Sequence, residues 1–169
     1  MTESVSSELA QKILDSVNQG FEQQLDFTRQ IMALDSTRGN ERPAQQLFHD
    51  ALARRGYDMD QWAIDVTDIE SHPGFSPVKI NYDNAVNVVG THLPDQTNGQ
   101  SLILNGHIDV VPTGPLDMWT RPPFDPWIKG DWLYGRGGAD MKAGLCAHVA
   151  ALDALENLGV QPAARVHVQ

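Results

Sequence analysis

The chain has 169 residues, 41% of them apolar and 20% charged, enough core material for one globular domain and too little charge for a disordered chain. Twelve Lys and Arg against 22 Asp and Glu leave a formal charge of -10, a field that repels phosphate backbones and anionic headgroups and argues against nucleic-acid and membrane partners. The one cysteine, Cys146, rules out an intramolecular disulfide, and MTESVSSELAQK offers neither a basic leader nor an apolar run, so a reducing, cytoplasmic setting without export or membrane span is expected.

Leu9, Ile13, Leu14, Val17, Phe21, Leu25, Ile31 and Leu34 recur at three- to four-residue spacing, which predicts an amphipathic helix, or two successive ones, over residues 7–34. The polar run Asp35-Ser36-Thr37-Arg38-Gly39-Asn40 breaks it. Asn40 as N-cap, Pro43 in the first turn and Gly56 as terminator predict a helix over residues 41–55. Residues 57–66 read as a strand, 71–77 as a loop and 85–90 as a short Val-rich strand. The run over 101–111 begins as nearly continuous apolar sequence, the texture of a central strand buried on both faces in a largely parallel sheet. A long Pro- and Trp-rich loop follows over 112–126, of a length that is often functional. Residues 128–134 are expected as one strand, 135–140 as a glycine turn, 141–158 as a helix closed by Gly159 and Pro162, and 163–169 as the start of a further strand. Strands interleaved with helices argue for an α/β sheet covered by helices.

Two places carry chemistry. His107 and Asp109 stand two apart at the carboxyl end of the expected central strand, where period-two geometry turns both side chains to one face and where open α/β sheets bind ligands. Locally the pair reads either as a hydrogen-bonded strand-end histidine or as a metal-binding imidazole steered by a carboxylate. The second place is Tyr134-Gly135-Arg136-Gly137-Gly138-Ala139-Asp140-Met141-Lys142, a strand end, a glycine turn and a carboxylate ahead of a helix. Asp140 fits an ordinary N-cap or a metal ligand. A dinucleotide fingerprint fits poorly, because Asp140 occupies its last glycine position and would face the pyrophosphate. His49, His72, His92, His148 and His167 lack ligand spacing and read as solvated or satisfied in the core. Cys146 reads as core, and Trp119, Phe124, Trp127 and Trp132 as residues packing the long loop onto the sheet.

Three ordered blocks carry a family resemblance: Asn105-Gly106-His107-Ile108-Asp109-Val110-Val111-Pro112, then Trp119 with Pro122-Pro123-Phe124, then Tyr134 to Gly144. Together they resemble the acetylornithine deacetylase and succinyl-diaminopimelate desuccinylase family, co-catalytic zinc hydrolases of amino-acid metabolism with aminoacylase, carboxypeptidase and dipeptidase relatives. The resemblance implies a three-layer αβα fold with helices on both faces of the sheet. It implies two zinc ions per site, replaceable by Co2+, with His107 binding one, Asp140 bridging both and Asp109 as the catalytic-site carboxylate that orients the imidazole. The Asp140–Met141 peptide would be cis. The implied reaction is hydrolysis of the amide of an N-acyl amino acid, a related small N-acyl amine or a peptide, in an enzyme that can be a homodimer.

In that family the general-base glutamate and the other ligands come later than Gln169, as do the lid domain and the rest of the catalytic domain. Residues 1–169 therefore read as the amino-terminal part of a catalytic domain, inactive by itself because two side chains cannot hold two zinc ions. The alternative from another class is a metal-free ligand- or peptide-binding α/β module.

Overall fold

The computed structural model describes residues 5–79 and 81–169. Ser6 caps the first helix, α1 (Ser7–Gln19), by accepting a hydrogen bond from the Leu9 amide at 3.2 Å. Gly20 ends α1 and α2 (Phe21–Met32) begins at once, so the apolar spacing over 7–34 resolves into two helices. Leu14 and Phe21, counted into the apolar stripe, are exposed. The next helix, α3 (Arg42–Ala53), starts one residue later than expected. Asn40 does not cap it, because its side-chain amide is engaged by the Thr37 hydroxyl at 3.1 Å, and Glu41 takes the cap position.

The expected strand over 57–66 is shorter, β1 (Asp58–Ala63), since Asp65 accepts from the Thr67 amide and starts a single helical turn, Val66–Asp68. The Val-rich strand is β2 (Val86–His92). Only Leu102–Leu104, β3, of the 101–111 run joins a ladder, and β6 (Val166–Val168) completes the sheet in the order β1-β2-β6-β3. Two corrections follow. The sheet is mixed, with β1/β2 and β2/β6 antiparallel and only β6/β3 parallel. The apolar run is an edge strand, with Leu102 and Ile103 exposed. Its continuation changes partner: Gly106 donates to the Gln169 carbonyl, and farther along Val110 bridges in parallel to Thr37.

The residues over 128–134 form a hairpin, β4 (Trp127–Lys129) and β5 (Trp132–Tyr134), rather than one strand. Gly130, with φ of 58°, supplies the first central residue of its two-residue turn. Helix α4 (Ala143–Glu156) is shorter than expected at both ends. Ile31, Ala44, Phe48, Leu52, Leu145, Cys146 and Val149 from α2, α3 and α4 pack with Ile108, Val166 and Val168 into one core. Arg55 at the end of α3 grips Asp153 of α4 with both Nε and a terminal nitrogen, at 2.6 and 2.7 Å. The α/β class of the sequence reading holds, with helices packed on a mixed sheet.

The site is positioned by the segment that follows α2. Ser36 is fully buried; its hydroxyl donates to the Ile108 carbonyl at 2.7 Å and its own carbonyl accepts from the Val110 amide at 3.0 Å. These bonds flank Asp109 and fix the strand end that carries His107. Ser36→Ala would leave the buried Ile108 carbonyl short of a donor and should lower the unfolding free energy by about 1–3 kcal/mol in urea titration. An unchanged midpoint and slope would show that this bond does not hold the strand end.

Candidate metal centre

His107 and Asp140, 33 residues apart, meet at the carboxyl end of the strand run: His107 Nε2 lies 2.9 Å from Asp140 Oδ1. On the other side of the ring, Nδ1 lies 3.0 Å from the Asp109 carbonyl oxygen and 3.2 Å from Asp109 Oδ1. The imidazole is thus held at both nitrogens, and the two residues expected to share a face do so. Asp109 is engaged in turn by Arg38, whose Nε stands 3.8 Å from Oδ2.

Asp140 reaches this position through the glycine turn. A wide turn, Gly138–Lys142, precedes α4, and within it Asp140 (φ -130°, ψ 95°) and Met141 (φ -134°, ψ 30°) leave helical geometry. The Asp140–Met141 peptide is cis, as the family resemblance implied. Asp140 is not the N-cap of α4: the cap position belongs to Lys142, and no side chain caps the helix. Gly137 has φ of 77°, and a Cβ there would lie 2.5 Å from the Val110 Cγ1, so the turn can press against the His107 strand end only as glycine.

Burial alone lowers the His107 pKa, but the ring's hydrogen bonds to the Asp140 carboxylate and the Asp109 carbonyl, with the charges of both aspartates, outweigh it and hold the imidazole above its ordinary 6.5. A raised folded-state value means that these contacts stabilise the fold fully below the unfolded histidine's pKa and lose that effect as pH rises through the folded value.

The pair has the chemistry of a zinc half-site, an imidazole nitrogen and a carboxylate oxygen. Two ligands of a tetrahedral zinc at about 2.0–2.1 Å stand about 3.3 Å apart, so a small opening of the His107–Asp140 contact admits an ion. The carboxylate side chain of Asp140 is 87% exposed and that of the histidine 47%, which leaves the approach open. Among the described residues no group of three or more His, Cys, Asp or Glu side chains is gathered to hold a metal. The pair therefore supplies about half of one ion's usual four ligands.

The other expectations sort clearly. His49, His72, His92 and His167 have hydrogen-bond partners away from this centre, whereas His148 departs from the satisfied reading, since its buried Nδ1 has none. Cys146 is in the core, and burial pushes its thiol up to about 11. The aromatic residues divide: Trp119 donates to the Thr113 carbonyl within the long loop, beneath the Arg136 guanidinium, Phe124 lies under the Lys142 ammonium, Trp127 stacks on Tyr134 across the β4–β5 hairpin, and Trp132 is exposed rather than packed on the sheet. Sequence reasoning missed Arg38, which lies in no motif. It quoted Lys142 without a role, although a lysine inside Met141-Lys142-Ala143-Gly144-Leu145-Cys146 breaks an apolar stretch and is a signal of a paired buried cation.

Comparison with known proteins decides the family. Residues 103–169 match Peptidase family M20/M25/M40. This stretch of the chain belongs to that family. An M20 relative named succinyl-diaminopimelate desuccinylase, from Burkholderia multivorans, is 36% identical over 129 residues, covering 76% of this chain and 30% of its own length. A protein of the same name from Dechloromonas aromatica is 47% identical over 81 residues, 48% of this chain and 21% of the relative. The chain thus spans about 30% of the first of these relatives. The fold is shared with the di-peptidase Dug1p of Saccharomyces cerevisiae, at a TM-score of 0.73 and 16% identity over 96% of this chain and 34% of that one. It is shared also with human carnosine dipeptidase 1, at a TM-score of 0.67 and 19% identity over 93% of this chain and 33% of that one.

Two measurements check the site as described. Asp140→Asn should lower the His107 titration midpoint in a proton NMR titration, and a midpoint that stays put would show that the carboxylate is not paired with the ring. Cys146 should react with a thiol reagent only as fast as the chain opens; rapid modification of the folded protein would place the thiol outside the core.

Proposed function

We propose that these residues are the amino-terminal part of the catalytic domain of a metal-dependent hydrolase that cleaves the amide of an N-acyl amino acid, a related small N-acyl amine or a small peptide. The single observation that carries this reading is the meeting of His107 and Asp140 at 2.9 Å on an M20 segment. The names of the relatives, a desuccinylase and dipeptidases, support the substrate class and favour a hydrolase over the metal-free binding module.

In this reading His107, through Nε2, and Asp140 are the residues that would hold the zinc ions, His107 one of them and Asp140 both, with Co2+ as a substitute. When bound, the metal supplies a Lewis acid beside the scissile carbonyl. The chain's own residues prepare for it. Asp109 accepts from the Nδ1 side of His107, which fixes the ring direction and leaves Nε2 as the ligand atom. His107 and Asp140 would hold the cation in place of the proton they share, so its uptake would release a proton. Arg38 balances Asp109 from the far side and keeps its carboxylate directed at the ring. The general base and the remaining ligands belong to other parts of the intact enzyme, which we place in the cytoplasm as a possible homodimer. Among the described residues no helix is long and apolar enough to cross a membrane.

Asp140→Ala in the intact enzyme should abolish turnover of N-succinyl and N-acetyl amino acids and zinc content together, measured by amine release and atomic absorption. Retained turnover with zinc bound would overturn the bridging role.

A further inference from the structure

Among the described residues, Lys142 is the one fully buried lysine. A buried ammonium is costly unless its protons are taken up, and here Nζ donates to the Ile31 carbonyl at 2.9 Å and to the Leu34 carbonyl at 2.8 Å. The Ile31 carbonyl is in the last turn of α2, where helix carbonyls lack partners and the dipole is negative, and the Leu34 carbonyl lies just past the C-cap Ala33. The ammonium also stands 5.9 Å over the Phe124 ring. Burial pulls its pKa down to about 8, against the opposing charge of Asp35.

The lysine backbone closes the glycine turn from the other side, since its amide donates to the Gly137 carbonyl at 3.0 Å. Met32 packs so closely under this turn that a Cβ on Gly138 would lie 2.9 Å from its methyl. The same end of α2 runs on into Ser36 and Thr37, which hold Ile108 and Val110 around Asp109. Both halves of the His107–Asp140 pair therefore hang from residues 31–37, one through Ser36 and Thr37, the other through the Lys142 side chain.

We propose that Lys142 is a positioning residue, which ties the glycine turn to the carboxyl end of α2 and so sets the Asp140 carboxylate against His107. A methionine there would keep most of the volume but leave the Ile31 and Leu34 carbonyls without a donor and the turn without its anchor. What the alignment is for rests on the metal reading above; the alignment itself does not.

The test is Lys142→Met in the chain, with native near-UV circular dichroism as the check on folding. The His107 ring nitrogen shifts at neutral pH should move to those of Asp140→Asn, and the double variant should add nothing further. Unchanged shifts in folded K142M, or effects that simply add, overturn the proposal. The unmodified chain gives an independent answer if K142M does not fold: the Lys142 ammonium protons should be observable and in contact with the Phe124 ring protons, and an ammonium exchanging freely with water overturns the tie. In the intact enzyme K142M should lower kcat about 100-fold with KM within about threefold, the mark of a displaced rather than an absent group. A loss carried by KM alone overturns it. Zinc titrated into the intact unmodified enzyme separates the two readings, because absence of zinc binding removes the metal reading and leaves the tie standing.

Discussion

A helix end with unpaired carbonyls is the constraint around which this site is built. The last turn of α2 must satisfy acceptors in the interior, and it does so with an ammonium from a turn more than a hundred residues later in the chain. A few residues past that end, Ser36 bonds the backbone of Ile108 and Val110, and Thr37 bridges beside it to Val110. Satisfying one helix terminus thereby brings together the strand end bearing His107 and the turn bearing Asp140. The histidine–carboxylate contact is the exposed outcome of buried hydrogen bonding.

The local parts of this arrangement were legible in the sequence. The two helices over 7–34, the start of α3 near Pro43 and the end of α4 before Gly159 follow from apolar spacing and from Gly and Pro punctuation, which act within a few residues. His107, Asp109 and Asp140 stood out through the three ordered blocks that resemble a known family, while the local pattern left each of them an ordinary structural reading as well. The hairpin β4–β5 was misread as one strand, although Gly130-Asp131 inside it is a two-residue turn signal.

The sheet order was not legible. An apolar run has the same texture whether it is flanked on both sides or changes partner midway, and 102–110 does the latter, passing from β6 to Gln169 and then to Ser36 and Thr37. Lys142 illustrates the same limit for the site: its neighbours in sequence say that it is buried, and only the tertiary fold says that α2 receives it.

The sheet order also bears on synthesis. β6 is made after β3, yet it lies between β2 and β3. A ribosome therefore delivers the flanking strands first: β1 and β2 can zip together early, while Leu102–Leu104 waits, uncovered, for more than sixty residues of further translation. The nascent chain must carry that bare apolar segment through the tunnel exit until the middle strand emerges, the interval in which chaperone capture or misassociation has its opening.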